Sequence, residues 1–355
     1  MNKYDIVDGK SLRYGYTTGT CAAVATHAAL INLLDAPVSE YDIDLPCNET
    51  INVAINSNEK EGGYAISSVI KDAGDDPDQT NGIEIFSKVS LRDDGKVIIK
   101  GGEGIGIYTN DSIFGKKGEY AINKVPREMI TKEVELLTDK GADVTIFTPM
   151  GVEIGKKTFN PNIGIEGGIS IIGSTGLVKP MSEDALLKTI NLEIKTLYLD
   201  KDSREIVLTP GSHGLKEANS IGIKENVVLT SNYIGDSLKM AYEIGFRKIT
   251  LIGHIGKFAK LSIGVFNTHS KNADTRMEAF VYYLAMMNKP YELIKEVDAF
   301  ITAEKCYNYL YDAGYKDVLC AMEEGCEKRV KTYLKDDSLE ASVKVYSFEK
   351  GVLDC

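Results

Sequence analysis

Several features that mark common protein classes are missing from this chain. Basic residues do not predominate: 41 Lys and Arg stand against 52 Asp and Glu, a formal charge of −11. That excludes a nucleic-acid binder relying on a broad basic surface. It leaves room for an anionic small ligand, because local Lys and Arg can dominate a cleft. Long apolar runs are also missing; the longest, near residues 280–287, is far too short to span a membrane. The leading MNKYDIVDGK has no apolar core, so no signal peptide is expected. The six cysteines (Cys21, Cys47, Cys306, Cys320, Cys326 and Cys355) form no C-x-x-C pair. Reduced thiols in a cytoplasmic protein are the simplest account. No Walker A spacing occurs, and no third ligand stands at diagnostic spacing from His254 and His269, so no protein-built metal site is expected.

What is present is an ordinary globular composition, 43 % apolar and 26 % charged, over 355 residues. That length is about twice the usual domain, so two domains are expected, 1–150 and 151–355. The run LRYGYTTGTCAAVATHAALINLL (residues 12–34) is the least ordinary. Thr17-Thr18-Gly19-Thr20 reads as a tight loop, with Thr20 capping the helix that follows. Only Thr26, His27 and Asn32 interrupt small and apolar residues from Cys21 onward, which predicts a helix buried on most sides. Such a helix start could hold an anion; a plain capped core helix is the alternative. Cys21 reads as packing rather than as a nucleophile.

The rest of the first half alternates like strands at 41–55, 63–70, 83–91 and 96–100. Asp93-Asp94-Gly95 predicts a hairpin between the last two. GGEGIG (101–106) is a glycine-rich bend with weak G-x-G spacing. A helix is predicted from Pro126 to Lys140, stopped by Gly141, before a strand at 144–148. This half reads as α+β with hairpins. After a strand-like run at 169–172 and a helix starting at Pro180-Met181-Ser182, the rhythm changes. Strands at 205–209, 226–230 and 248–252 are each followed by a loop and a helix. That specifies a Rossmann-like α/β domain with a parallel sheet, without the G-x-G-x-x-G fingerprint. Residues 274–335 read as helical and 341–348 as a late strand.

In an open parallel sheet, ligands collect outside the carboxyl ends of the strands. The loops PGSHG, SNYIGD and GHIGK bring Ser212, His213, Asn232, Asp236, His254 and Lys257 there, although any strand–helix loop uses Gly, Ser and Asn. Asn267-Thr268-His269-Ser270 with Asp274, Arg276 and Glu278 either lines a polar pocket or caps a helix beginning near Ala273.

Four runs in order carry a resemblance: LRYGYTTGTCAAVATHAA; GGEGIG with AINKVPREMI; TFNPNIGIEGGISIIGSTGLVKPMSEDAL; and GHIGKFAKLSIGVFNTHSKNADTRME. They resemble the signature runs of the CbiD family, cobalt-precorrin-5B (C1)-methyltransferases of anaerobic cobalamin biosynthesis. Two positions depart: Tyr108-Thr109-Asn110, where a more basic residue is common, and Ile255, where proline is common. The resemblance implies methyl transfer from S-adenosylmethionine to carbon 1 of a ring-contracted corrinoid, with the cobalt carried by the substrate. Charge, cysteine usage and the short apolar runs add the expectation of a cytoplasmic protein with no nucleic-acid or membrane partner. A homo-oligomer and transient hand-over to neighbouring pathway enzymes are further partner expectations.

Set against that chemistry, the loop residues Gly211, Ser212, Asn232, Gly235, Gly253, Gly256 and Lys257 are expected to hold the donor. Thr17, Thr18, Gly19, Thr20, Glu103, Arg127, Ser174, Thr175, Thr268 and Arg276 are expected to meet the substrate, whose carboxylates suit helix starts and cations. The macrocycle is expected in a cleft between the domains. Replacing Thr18 and Thr20 by Val is expected to spare folding and damage turnover. In-line displacement depends mainly on positioning; if a proton is also removed, His213, His254 and His269 are the candidate bases. The competing readings are a non-catalytic corrinoid-intermediate binder and a nucleotide-dependent transferase using the loops at Thr17 and Gly253.

Overall fold

The computed structural model describes residues 3–7, 9–111, 115–200 and 204–355. Its chain divides into two units, Met1–Ser182 and Glu183–Cys355. The division falls later than residue 150 because residues 151–182 are bonded into the first unit. The Ile169 carbonyl accepts from Gly106 N at 2.8 Å, and the Ile171 carbonyl from Asn123 N at 3.0 Å. Residues 169–172 make only isolated bridges, Ile105 with Ile169 and Ile122 with Ile171.

At the centre of the first unit is the helix Thr18–Leu34, buried along most of its length as its composition requires. A mixed five-stranded sheet packs against it, in the order Ser57–Glu61, Tyr64–Ile70, Glu84–Leu91, Ala142–Phe147, Val97–Gly101. The expected hairpin at Asp93-Asp94-Gly95 does not form. Ala142–Phe147 lies between its two arms, antiparallel to Glu84–Leu91 and parallel to Val97–Gly101. The turn residues are captured by the incoming chain instead, with Arg92 N donating to Gly141 O at 3.1 Å and Gly95 N to Lys140 O at 2.9 Å. Ala142–Phe147 alternates buried residues along its length and takes the interior place, whereas Val97–Gly101 buries one residue and suits an edge. The second helix is also shorter than expected. It runs Lys124–Glu135, and the chain turns at Leu136 and Leu137 well before Gly141.

The second unit bears out the parallel sheet. Its order is Val227–Leu229, Glu205–Thr209, Lys248–His254, Glu340–Ser347, all parallel, closed by Gly351–Val352 antiparallel. From Glu205–Thr209 the chain first moves outward to Val227–Leu229, then crosses back to Lys248–His254 and on to Glu340–Ser347. The order therefore reverses between Glu205–Thr209 and Lys248–His254. The carboxyl ends of those two strands flank the switch point where such sheets open a crevice. The helices Arg276–Met286, Tyr291–Asp298, Ala303–Asp312 and Lys316–Leu334 make the helical stretch expected before the late strand.

One thiol expectation is corrected. Cys320 and Cys355 form a disulfide with their Cα atoms 5.7 Å apart, a normal reach for the bond. The 35-residue separation carries no spacing signal, because the pairing depends on the last strand bringing the chain end back beside the helix Lys316–Leu334. Cys21, Cys47, Cys306 and Cys326 are free. Among the described residues, no helix is long and apolar enough to cross a membrane.

Candidate functional site

The helix start at Thr17 is built differently from the anion cradle expected there. Thr17, not Thr20, is the cap, its hydroxyl accepting from Thr20 N at 3.2 Å. Gly19 N donates to Ile172 O, and Thr17 N to Gly176 O, each at 3.0 Å. The Thr20 hydroxyl donates to Gly176 O at 2.7 Å, while Thr18 Oγ1 accepts from Ile172 N at 2.8 Å. Thr17, Thr18, Gly19 and Thr20 are all buried. Their hydrogen-bonding groups are taken up by the segment 170–176 rather than left open at the helix start. Exposed Ser174 and Thr175 ride on that clamped segment.

The expectation for the valine replacements reverses with this geometry. Thr18→Val removes the acceptor of the part-buried Ile172 amide and should destabilise the first unit by about 0.5–1.5 kcal/mol. A urea midpoint unchanged from the parent would return Thr18 to a ligand role.

GGEGIG is likewise packed against the protein itself. A Cβ on Gly104, whose φ is +75°, would lie 1.8 Å from Thr148 O. Glu103 is exposed on this bend, while the glycines on either side of it pack against neighbouring chain. Arg127 is half-buried and held by backbone carbonyls. Its Nε donates to Ile122 O at 2.8 Å and its Nη1 to Ile99 O at 3.2 Å, both neutral acceptors. Burial pushes the guanidinium below its ordinary value. It lines a groove of about 510 Å³ together with Lys124, Lys132, Glu119 and Glu128.

In the second unit the strand-end loops do gather at the carboxyl edge of the parallel sheet, and their glycines separate into two kinds. Gly211 is open, with no atom within 4 Å of an added Cβ, and the helix it begins, Ser212–Ser220, has no side-chain cap. Gly253 and Gly235 are packing glycines: a Cβ would meet the Phe258 ring at 2.0 Å and Tyr333 Oη at 2.7 Å, respectively. The Gly235 amide is also taken, donating to Phe266 O at 3.2 Å. Gly256 N donates to His254 Nδ1 at 3.0 Å, so the imidazole itself caps the helix Ile255–Ser262.

That bond makes His254 a poor base. Nδ1 is an acceptor, so Nε2 carries the proton and donates to Glu304 Oε2 at 2.6 Å. Burial lowers the imidazole from its ordinary value against the opposing pull of Glu304. Both ring nitrogens are occupied. His213 is exposed and meets the Phe348 ring edge-on, 5.1 Å between centroids. His269 shares no ring contact or hydrogen bond with either; its Nδ1 accepts from Lys271 N at 3.2 Å. The three histidines do not form one catalytic group.

Lys257 is half-buried, and its ammonium reaches Ser231 O at 3.5 Å. Burial and the neighbouring Lys260 lower it from the ordinary lysine value. A cation so placed favours an anion. Buried Lys260, unremarked in the sequence because it sits in the apolar run FAKLSIG, donates to Ala273 O at 2.7 Å and Thr268 O at 3.2 Å. It pins the loop that the NTHS run begins. Thr268 is buried there, its hydroxyl on Asn232 Oδ1 at 3.3 Å, so it supports Asn232 and does not line a pocket. Arg276 is already paired, with Nε and Nη2 on Asp274 at 2.6 and 2.9 Å. Its guanidinium is therefore compensated rather than free for a substrate carboxylate. Glu304 and Phe348, which join His254 at this edge, lie in helical and strand-end segments that carry no motif.

Two family profiles match, one described as CbiD over residues 5–180 and one as CbiD, C-terminal domain over residues 267–354. A cobalt-precorrin-5B C(1)-methyltransferase of Treponema denticola is 54 % identical, covering 100 % of this chain and 99 % of its own. A protein of the same name from Alkaliphilus oremlandii is 51 % identical, covering 99 % of each chain. A solved structure of a cobalamin biosynthesis protein from Archaeoglobus fulgidus is 27 % identical, with a TM-score of 0.42 over 77 % of this chain and 87 % of its own. With identity of this order running end to end through both units, the chain belongs to the CbiD family.

Proposed function

We propose that the protein methylates carbon 1 of cobalt-precorrin-5B, taking the methyl group from S-adenosylmethionine and yielding cobalt-precorrin-6A. The observation that carries this reading is full-length identity above half to a relative bearing that activity's name. The reaction is a displacement in which the sulfur–methyl bond breaks as the bond to carbon 1 forms, leaving S-adenosylhomocysteine. Catalysis of this kind comes from holding donor and acceptor in line, and it asks little of a strong base. An edge whose histidines are capping or solvent-facing is consistent with that demand. The cobalt arrives and leaves with the substrate.

We assign the donor to the carboxyl edge of the parallel sheet. The uncapped helix start at Ser212 suits its carboxylate, and Lys257, half-buried and with no carboxylate partner among the described residues, adds positive charge. Asn232, steadied by Thr268, is available for hydrogen bonding. Arg127 in its groove is the candidate for a corrinoid carboxylate.

The test is calorimetry with S-adenosylhomocysteine, alone and with the corrinoid, alongside product analysis with the methyl donor. Lys257→Ala should weaken S-adenosylhomocysteine binding by about tenfold, the scale of one partly buried charged contact. Unchanged affinity would move the donor away from this edge. Corrinoid binding with neither donor binding nor methylated product would leave a binding protein in place of an enzyme.

A further inference from the structure

The strand Glu340–Ser347 delivers Phe348 to the carboxyl edge of the parallel sheet. This large apolar residue is 61 % exposed. It is nonetheless held firmly. Glu304 Oε1 accepts from Phe348 N at 2.9 Å and from Glu349 N at 3.3 Å, fixing the turn. One ring face lies on His254, with centroids 4.3 Å apart and planes 21° from parallel. His213 meets the ring edge-on at 5.1 Å. His254 cannot swing away, because Gly256 N holds its Nδ1 and Glu304 its Nε2.

The result is a fixed aromatic plane, backed by His254 on one face, met edge-on by His213 and Tyr346 and still largely exposed, beside the point where strand order reverses. Exposed apolar area fixed in this way is what a stacking site for a planar ring requires. The adjoining charges fit a purine better than an anionic group at this spot. Glu304 is committed to two amides and an imidazole, and Glu349 is paired with Lys350 at 3.1 Å and Asn308 at 2.8 Å. His213, at the ring's edge, is the second residue of the helix with the open Gly211 in front of it. A ligand stacked on Phe348 would thus have its polar end within reach of that helix start.

We infer that Phe348 is the platform on which the adenine of the methyl donor stacks; this rests on the assignment of the donor to this edge. The chain contains no tryptophan, so Phe348→Trp in the full-length protein supplies a single fluorescent reporter at the platform. Adenosine and S-adenosylhomocysteine are both expected to quench its emission, and methionine is not. Phe348→Ala is expected to raise the S-adenosylhomocysteine Kd by about tenfold or more, the usual effect of removing one base–aromatic stack. Its melting temperature should stay near the parent's, since an exposed ring is removed. If the parent binds S-adenosylhomocysteine and Phe348→Ala binds it equally well, the platform is overturned while the methyltransferase reading stands. Emission of Phe348→Trp indifferent to adenosine, in a protein that still binds S-adenosylhomocysteine, overturns it too. A parent chain that binds no donor, with or without corrinoid, overturns both.

Discussion

Gly104→Ala should cost the first unit more than about 4 kcal/mol, enough to lose most of the folded protein. Two independent causes act at one atom. The backbone at Gly104 has φ +75°, a conformation strained for any residue with a Cβ. The added Cβ would also fall 1.8 Å from Thr148 O and 3.1 Å from the Gly151 Cα, both backbone atoms that cannot rotate aside. Relief by shifting the bend would break the ladder it belongs to, in which Thr148 N donates to Glu103 O and Ile169 N to Gly104 O, each at 2.9 Å. Gly211→Ala is the control. Its φ of −173° is ordinary extended backbone and its surroundings are open, so stability should move by less than about 0.5 kcal/mol. Soluble yield and urea midpoints of the two variants decide the matter. A Gly104→Ala protein that folds like its parent and loses only ligand binding would make GGEGIG a ligand loop.

Glu304→Ala should produce the largest change in the second unit, about 2–3 kcal/mol of stability together with a donor affinity reduced about tenfold. One carboxylate accepts from His254 Nε2 and from the amides of Phe348 and Glu349. With Asn308 Nδ2 at 3.5 Å, four donors lose this acceptor on its removal, which frees both the imidazole and the aromatic turn. Glu304→Gln separates the contributions, because its amide oxygen can still accept from the two backbone amides while the imidazole N–H loses a charged partner. It should retain most of the stability and show an intermediate affinity. Thermal melts with parallel S-adenosylhomocysteine titrations measure both quantities. A destabilised Glu304→Ala that binds donor as the parent does would confine Glu304 to a structural role.

The carboxyl edge was legible because strand–loop–helix periodicity repeats there three times, and strand-end loops carry their polar residues in sequence order. The strands at 205–209, 226–230 and 248–252 appear where alternation and apolar runs put them, as Glu205–Thr209, Val227–Leu229 and Lys248–His254. What those loop residues do was not legible. His254 looks the same in sequence whether its ring is a base or a cap, and the choice depends on Glu304, 50 residues away. Gly211 and Gly253 are equally glycine, yet one faces open space and the other the Phe258 ring.

From residue order alone come the buried helix at Thr18–Leu34, the parallel character of the second unit and, through four motifs in order, the family. These rest on local propensity and periodicity, which neighbouring residues specify. Only the tertiary structure decides that Ala142–Phe147 splits the expected hairpin, that Cys320 meets Cys355 and that the Thr17–Thr20 donors close on 170–176. Each of these joins segments far apart in the chain, where the winning pairing is the one that satisfies the most buried groups at once. Phe348 belongs with them: a turn residue without a motif becomes a stacking surface only because Glu304 and His254 are brought beneath it.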